Sequence, residues 1–145
     1  MNLKFLDNFR DLGILTMRVG LGLMFMYHGF PLLVEGPTEW AKLGTVIGTT
    51  FGFDFIPVVW GFLGVVILFF GGMALLIGLF TRVACVLLTS TMLIEAFYEL
   101  SQGEGLRGAS YGFQMAIVFF GLILIGPGRL SIDAREQARP TVRPA

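Results

Sequence analysis

The sequence predicts an all-α integral membrane protein: a four-helix bundle with its N- and C-termini cytoplasmic and a short amphipathic helix in the first outer loop. Three observations predict it. Of 145 residues, 55% are hydrophobic and only 14% charged, and the mean hydropathy is +0.80. A soluble domain of this size needs more polar surface, because one small core cannot hide so much apolar side chain. Four apolar runs are each long enough, or nearly so, to cross a bilayer core, which takes about 20 helical residues. The basic residues between the runs fall mostly on one side. The net charge is zero, so no basic field exists to attract nucleic acid. The chain reads as a single membrane domain.

The runs cover 12–34, 57–80, 83–100 and 109–125. The first carries Arg18 and His28, the second no charge, and the third Glu95 and Glu99. The fourth is short and is expected to stand nearly upright. Lys4 and Arg10 precede the first run as they would in a signal peptide, but it is too long and no small-residue cleavage site follows it.

Drawing four spans puts Lys4, Arg10, Arg82, Arg129, Arg135, Arg139 and Arg143 on one side. Lys42 and Arg107 fall on the other, with Glu35, Glu39, Asp54 and Glu104. The positive-inside rule makes the first side cytoplasmic. Tyr27, Trp40, Trp60, Tyr98 and Tyr111 then gather toward the outer side, as an interfacial belt or as the wall of a pocket for an aromatic ligand. Between the first two spans, Gly36-Pro37-Thr38 turns the chain, and Trp40, Leu43 and Ile47 share a helical face. That spacing predicts a short amphipathic helix lying on the outer membrane surface, or lidding the bundle. The tail, 129–145, is polar; its start is expected to form a short surface helix and its end to be disordered.

Ionisable side chains within spans are costly and each asks for a reason. Counting depth at about 1.5 Å per residue brings His28, Glu95 with Glu99, and Tyr111 with Gln114 to one outer layer. Glu95 and Glu99, spaced i, i+4, share a face. Such a layer either glues the helices together or forms a pocket that binds a polar headgroup, moves a proton or holds a quinone carbonyl. Arg18 lies near the other end, with no acid in the second span; it snorkels, or binds a carbonyl or an anion. One histidine does not furnish two haem ligands, and nothing in the spacing selects a metal site. Cys85, the single cysteine, excludes an internal disulfide and reads as a packing residue. Gly44, Gly48 and Gly52, Gly108 and Gly112, and Ala74 with Gly78 recur every four residues, permitting close helix contact within a chain or between chains.

Three stretches carry a resemblance: Arg18-Val19-Gly20-Leu21-Gly22 with His28-Gly29, then Gly71-Gly72-Met73-Ala74-Leu75-Leu76-Ile77-Gly78-Leu79-Phe80-Thr81-Arg82, then Gly126-Pro127-Gly128-Arg129-Leu130-Ser131-Ile132-Asp133. In this order they resemble the DoxX family of small four-span membrane proteins. The resemblance implies a bundle in a bacterial or archaeal cytoplasmic membrane and an association with quinone-linked redox work or with oxidative and thiol stress. Family members often carry a basic residue where this chain has Leu32, and a glutamate in the second span where it has Leu68 and apolar neighbours.

Three functions follow as expectations. The first is a membrane subunit of a quinone-linked oxidoreductase, with no redox centre of its own and electrons supplied by a protein partner. There His28 and Glu95 would do the chemistry, and His28, Glu95, Glu99, Tyr111, Gln114 and Arg18 would hold the quinone. The second is a non-catalytic scaffold or assembly subunit, joined to a partner or to its own copies through glycine-rich faces. The third is a small oligomeric transporter.

Overall fold

The computed structural model describes residues 9–52 and 56–137. Lys4, Asp54 and the end of the tail, with Arg139 and Arg143, lie outside the described residues. Six helices follow one another: α1 (Arg10–Glu35), α2 (Pro37–Phe51), α3 (Pro57–Ile77), α4 (Thr81–Ser101), α5 (Gly105–Ile125) and α6 (Ile132–Gln137). Four of them, α1, α3, α4 and α5, are long and apolar enough to cross a membrane. The chain is therefore an all-α, multi-pass membrane bundle whose outer faces contact lipid.

Two boundaries differ from the sequence reading. The fourth span is not short: α5 has 21 residues, as do α3 and α4, about 32 Å at the helical rise. Hydropathy alone cut away its first turn, where Gly105, Arg107 and Gly108 interrupt the apolar run but still form helix. The second span stops at Ile77, not at residue 80. Gly78 takes φ +75° and returns its N–H to the Ala74 carbonyl at 2.9 Å, a left-handed cap that only glycine adopts without strain. Proline opens both α2 and α3 within the first turn, where its missing N–H costs nothing.

The helices pack as two tight antiparallel pairs. In the first, α1 meets α3 where Gly22 faces Gly72; a Cβ on Gly22 would come within 2.7 Å of the Gly72 carbonyl oxygen. In the second, α4 meets α5 at Gly112, where a Cβ would lie 2.7 Å from the Met92 carbonyl oxygen. The pairs join through Leu88 of α4 against Gly71 of α3, and through Phe25 of α1 edge-on to Phe119 of α5 at 4.9 Å. Leu75, Cys85, Leu88, Phe119 and Leu122 are fully buried at this junction.

The amphipathic helix is present as α2, but it does not lie flat across the bundle. Gly44 rests on the Pro57 carbonyl and Gly61 rests on the Trp40 carbonyl. Two contacts four residues apart on each helix mean that α2 runs alongside the first turns of α3, antiparallel to it. Gly44 thus serves contact within the chain, while Gly52 ends α2 with φ +74°. The Trp40 indole packs at a tilt against Phe62, ring centroids 4.7 Å apart, and its N–H donates to the Leu32 carbonyl at 2.8 Å. That carbonyl is among the last four of α1, which have no partner within their helix. The end of the bundle bearing α2 is called the loop end below, and the end where α1 starts and α6 docks the tail end.

Candidate ligand site

A cavity of about 790 Å³ opens at the loop end among α1, α2, α3 and α4, with Tyr111 of α5 on its rim. Its walls are apolar: Leu32 from α1, Leu43 and Ile47 from α2, Leu63 and Ile67 from α3, Ile94 from α4. Phe25, Leu68 and Met92 form the floor and belong to the hydrophobic core. Leu32 and Leu68, the two positions where the sequence departs from the family pattern, both line it.

Polar groups gather on the same cavity. Glu95, Tyr98 and Glu99 occupy one face of α4 at i, i+3 and i+4, and Tyr111, His28 and Glu35 stand on neighbouring helices. Ser90 and Thr91 also line it, but their hydroxyls bond to the Val86 and Leu87 carbonyls of their own helix. The side chains of Glu95, Glu99, Tyr98 and Tyr111 make no hydrogen bond or ion pair with any described residue. A carboxyl beside apolar walls without a protein partner is an unmet demand for a donor or a proton.

His28 Nδ1 lies 2.9 Å from the Met24 carbonyl oxygen. A carbonyl only accepts, so Nδ1 carries the hydrogen, and in the neutral ring Nε2 is then an acceptor. His28 and Glu95 share the cavity without a direct bond. No group of three or more His, Cys, Asp or Glu among the described residues is placed to hold a metal.

Of the residues expected in this layer, His28, Glu95, Glu99 and Tyr111 meet at the cavity. Gln114 does not: its side chain is exposed and lines no part of it. The reason is helical phase. Gly112 faces α4, and two residues further along a helix points nearly the opposite way. Tyr27, Trp60 and Tyr98, read as an interfacial belt or a pocket wall, line the cavity, whereas Trp40 does not.

Arg18 is elsewhere. It is 1% exposed, so it does not snorkel to the headgroups. At the tail end its Nε donates to the Leu75 carbonyl at 3.1 Å and its Nη1 to the Pro127 carbonyl at 2.7 Å. The first of these carbonyls belongs to the last turn of α3, which has no helical partner to satisfy it. Gly78 is packed directly against the guanidinium. Beside it, Asp133 accepts from the N–H of Phe80 at 2.8 Å and of Thr81 at 2.9 Å, capping α4 and holding Phe80 at φ +48°. Ser131 accepts from the Ala134 N–H at 3.1 Å and so caps α6. The sequence reading assigned no role to Asp133 or Ser131. The signal was a serine and an aspartate three and five residues after Gly128, where a chain turning back needs side-chain acceptors.

All three stretches that carry the family resemblance therefore meet in this tail-end clasp. The DoxX family model matches residues 13–98, more than half of the chain. No curated protein and no solved structure matches it.

Proposed function

Because the chain belongs to the DoxX family, we propose that it is the membrane subunit of a quinone-linked oxidoreductase or redox-stress system, working with a partner that supplies the electrons. The proposal includes a bacterial or archaeal cytoplasmic membrane, with the tail end inside and the loop end outside. One observation supports it above the others: an apolar cavity of about 790 Å³ lined by ionisable side chains, Glu95, Tyr98, Glu99 and Tyr111 among them, that make no hydrogen bond with the described residues. Pockets of this size and lining suit a ring with polar edges and an apolar chain.

A quinone in such a site supplies two-electron chemistry coupled to two protons. The residues around it would manage those protons and the ring's orientation. Tyr98 and Tyr111 donate hydrogen bonds to carbonyl oxygens. Glu95 gives or takes a proton, with Glu99 one turn nearer the helix end as its relay. His28 enters differently from the sequence expectation. With its Nδ1 hydrogen held by Met24, neutral His28 offers Nε2 as an acceptor, suited to a hydroxyl rather than a carbonyl. It therefore fits the reduced, hydroxyl-bearing form of the ligand. The apolar walls from α2 keep water from the ring.

A scaffold role is the second reading, favoured by one observation: of the residues that resemble the family, only His28 lines the cavity, while Arg18, Gly78, Ser131 and Asp133 build the clasp at the tail end.

The test is purification in mild detergent, with bound quinones extracted and quantified by mass spectrometry, for wild type, His28→Ala and Glu95→Gln. Near-stoichiometric quinone in wild type, lost in both folded variants, is the expected result. Wild-type protein without quinone, with variants that differ only in stability, gives the scaffold reading the site.

A further inference from the structure

Gln114 is the tenth residue of α5 (Gly105–Ile125), which leaves it about 14 Å from one end of the helix and about 16 Å from the other. Its side chain is exposed on the outside of the bundle, lines no cavity and makes no hydrogen bond with a described residue. A primary amide brings two N–H donors and one acceptor oxygen. At mid-span those groups face hydrocarbon, and the side chain is too short to reach either surface. An amide in that position needs a protein partner.

The partner's chemistry follows from the amide itself. It is donor and acceptor at once, so it complements a second amide at the same depth. A second copy of this chain, inserted with the same topology, brings its own Gln114 to that depth without further design. The rest of the face agrees. Gly121 lies seven residues on, and a Cβ there would meet nothing within 4 Å. Unlike Gly112, it plays no part in the packing of its own chain. Ile117 between them is 71% exposed, and Ser110 one turn before has its hydroxyl tied to the Arg107 carbonyl at 2.8 Å. Ser110, Gln114, Ile117 and Gly121 thus form one stripe, small at its ends, polar within and open to close approach.

We infer that this face of α5 is the interface of a homodimer, in which the two Gln114 amides hydrogen-bond across a two-fold axis running through the membrane. Tyr111 flanks the same stripe and stands on the cavity rim, so the second copy sits beside the mouth of the ligand site.

The experiment measures self-association of the full chain in lipid vesicles by energy transfer between labelled copies, across a series of protein-to-lipid ratios. Wild type and Gln114→Asn are expected to dimerise. Gln114→Leu, which suits lipid and leaves the bundle folded, is expected to weaken dimerisation about tenfold, the scale of two interhelical amide bonds. Gly121→Leu is expected to weaken it through steric contact alone. Because Cys85 is fully buried, Ile117→Cys adds the one accessible thiol and should cross-link on oxidation, while Met24→Cys on α1 should not. A wild type that stays monomeric at every ratio overturns the inference. So does a dimer that Gln114→Leu leaves unchanged, or one that cross-links through Met24→Cys instead. If the monomeric chain instead captures a different protein through Gln114, the face is heteromeric and the homodimer is equally overturned.

Discussion

At the tail end of the bundle the buried polar groups, Arg18, Ser131 and Thr81, are matched with partners, except for the Thr81 hydroxyl. At the loop end the reverse holds: the side chains of Glu95, Glu99, Tyr98 and Tyr111 face an apolar cavity and meet no hydrogen-bond partner among the described residues. One end has its polar groups placed to close the chain on itself. The other has similar chemistry held open. A membrane bundle tolerates polar atoms at either end, so their number does not distinguish structure from function; whether the protein itself satisfies them does.

That contrast can be broken or sharpened by substitution. Arg18→Met keeps the side chain's bulk but leaves the Leu75 and Pro127 carbonyls without donors. It should cost about 3 kcal/mol, two charge-assisted hydrogen bonds, seen as an earlier midpoint in detergent unfolding. An unchanged midpoint would return Arg18 to the headgroups. Asp133→Ala removes the cap of α4 and the acceptor that holds Phe80 in its left-handed conformation, a loss of about 1–2 kcal/mol in the same assay. At the other end Glu95→Gln should leave the midpoint unchanged or raise it, because no protein contact is lost, while ligand affinity falls about tenfold, or about 1.4 kcal/mol. A marked loss of stability there would make Glu95 glue. The smallest effect is expected for Thr81→Val, within about 0.5 kcal/mol of wild type, since it deletes a hydroxyl that bonds to nothing in the protein.

The spans were legible in the sequence because hydropathy over some 20 residues is a property of the segment itself. Polar depth was legible for the same reason: His28, Glu95, Glu99 and Tyr111 were counted to one level along their helices, and they share a cavity. Rotation about the helix axis was not. The polar residues of α5, Arg107, Ser110, Tyr111 and Gln114, share one face at i, i+3, i+4 and i+7, but that pattern does not tell an inward face from an outward one, and the expected layer places Gln114 inward. Gly112 carried the missing information, since a glycine that lets two helices touch marks the inward side. For Arg18 the sequence left snorkelling and a carbonyl open; the structure takes the carbonyl, and its two acceptors, 57 and 109 residues away, are backbone groups that no residue pattern names. The lie of α2 was fixed by tertiary contact at Gly44 and Gly61, where an amphipathic pattern alone suits a flat helix equally well.

The reach of Arg18 also bears on how the protein enters the membrane. Its guanidinium is made 109 residues before the Pro127 carbonyl that it binds. While the later helices are being synthesised, a charge in the first span waits in or beside the bilayer without its final partner. The guanidinium therefore acquires its full set of acceptors only once the segment after α5 has been made and folded back against the bundle. A chain cut off before residue 127 has only the Leu75 carbonyl to offer that charge, so the clasp closes only when the far end of the chain has been made.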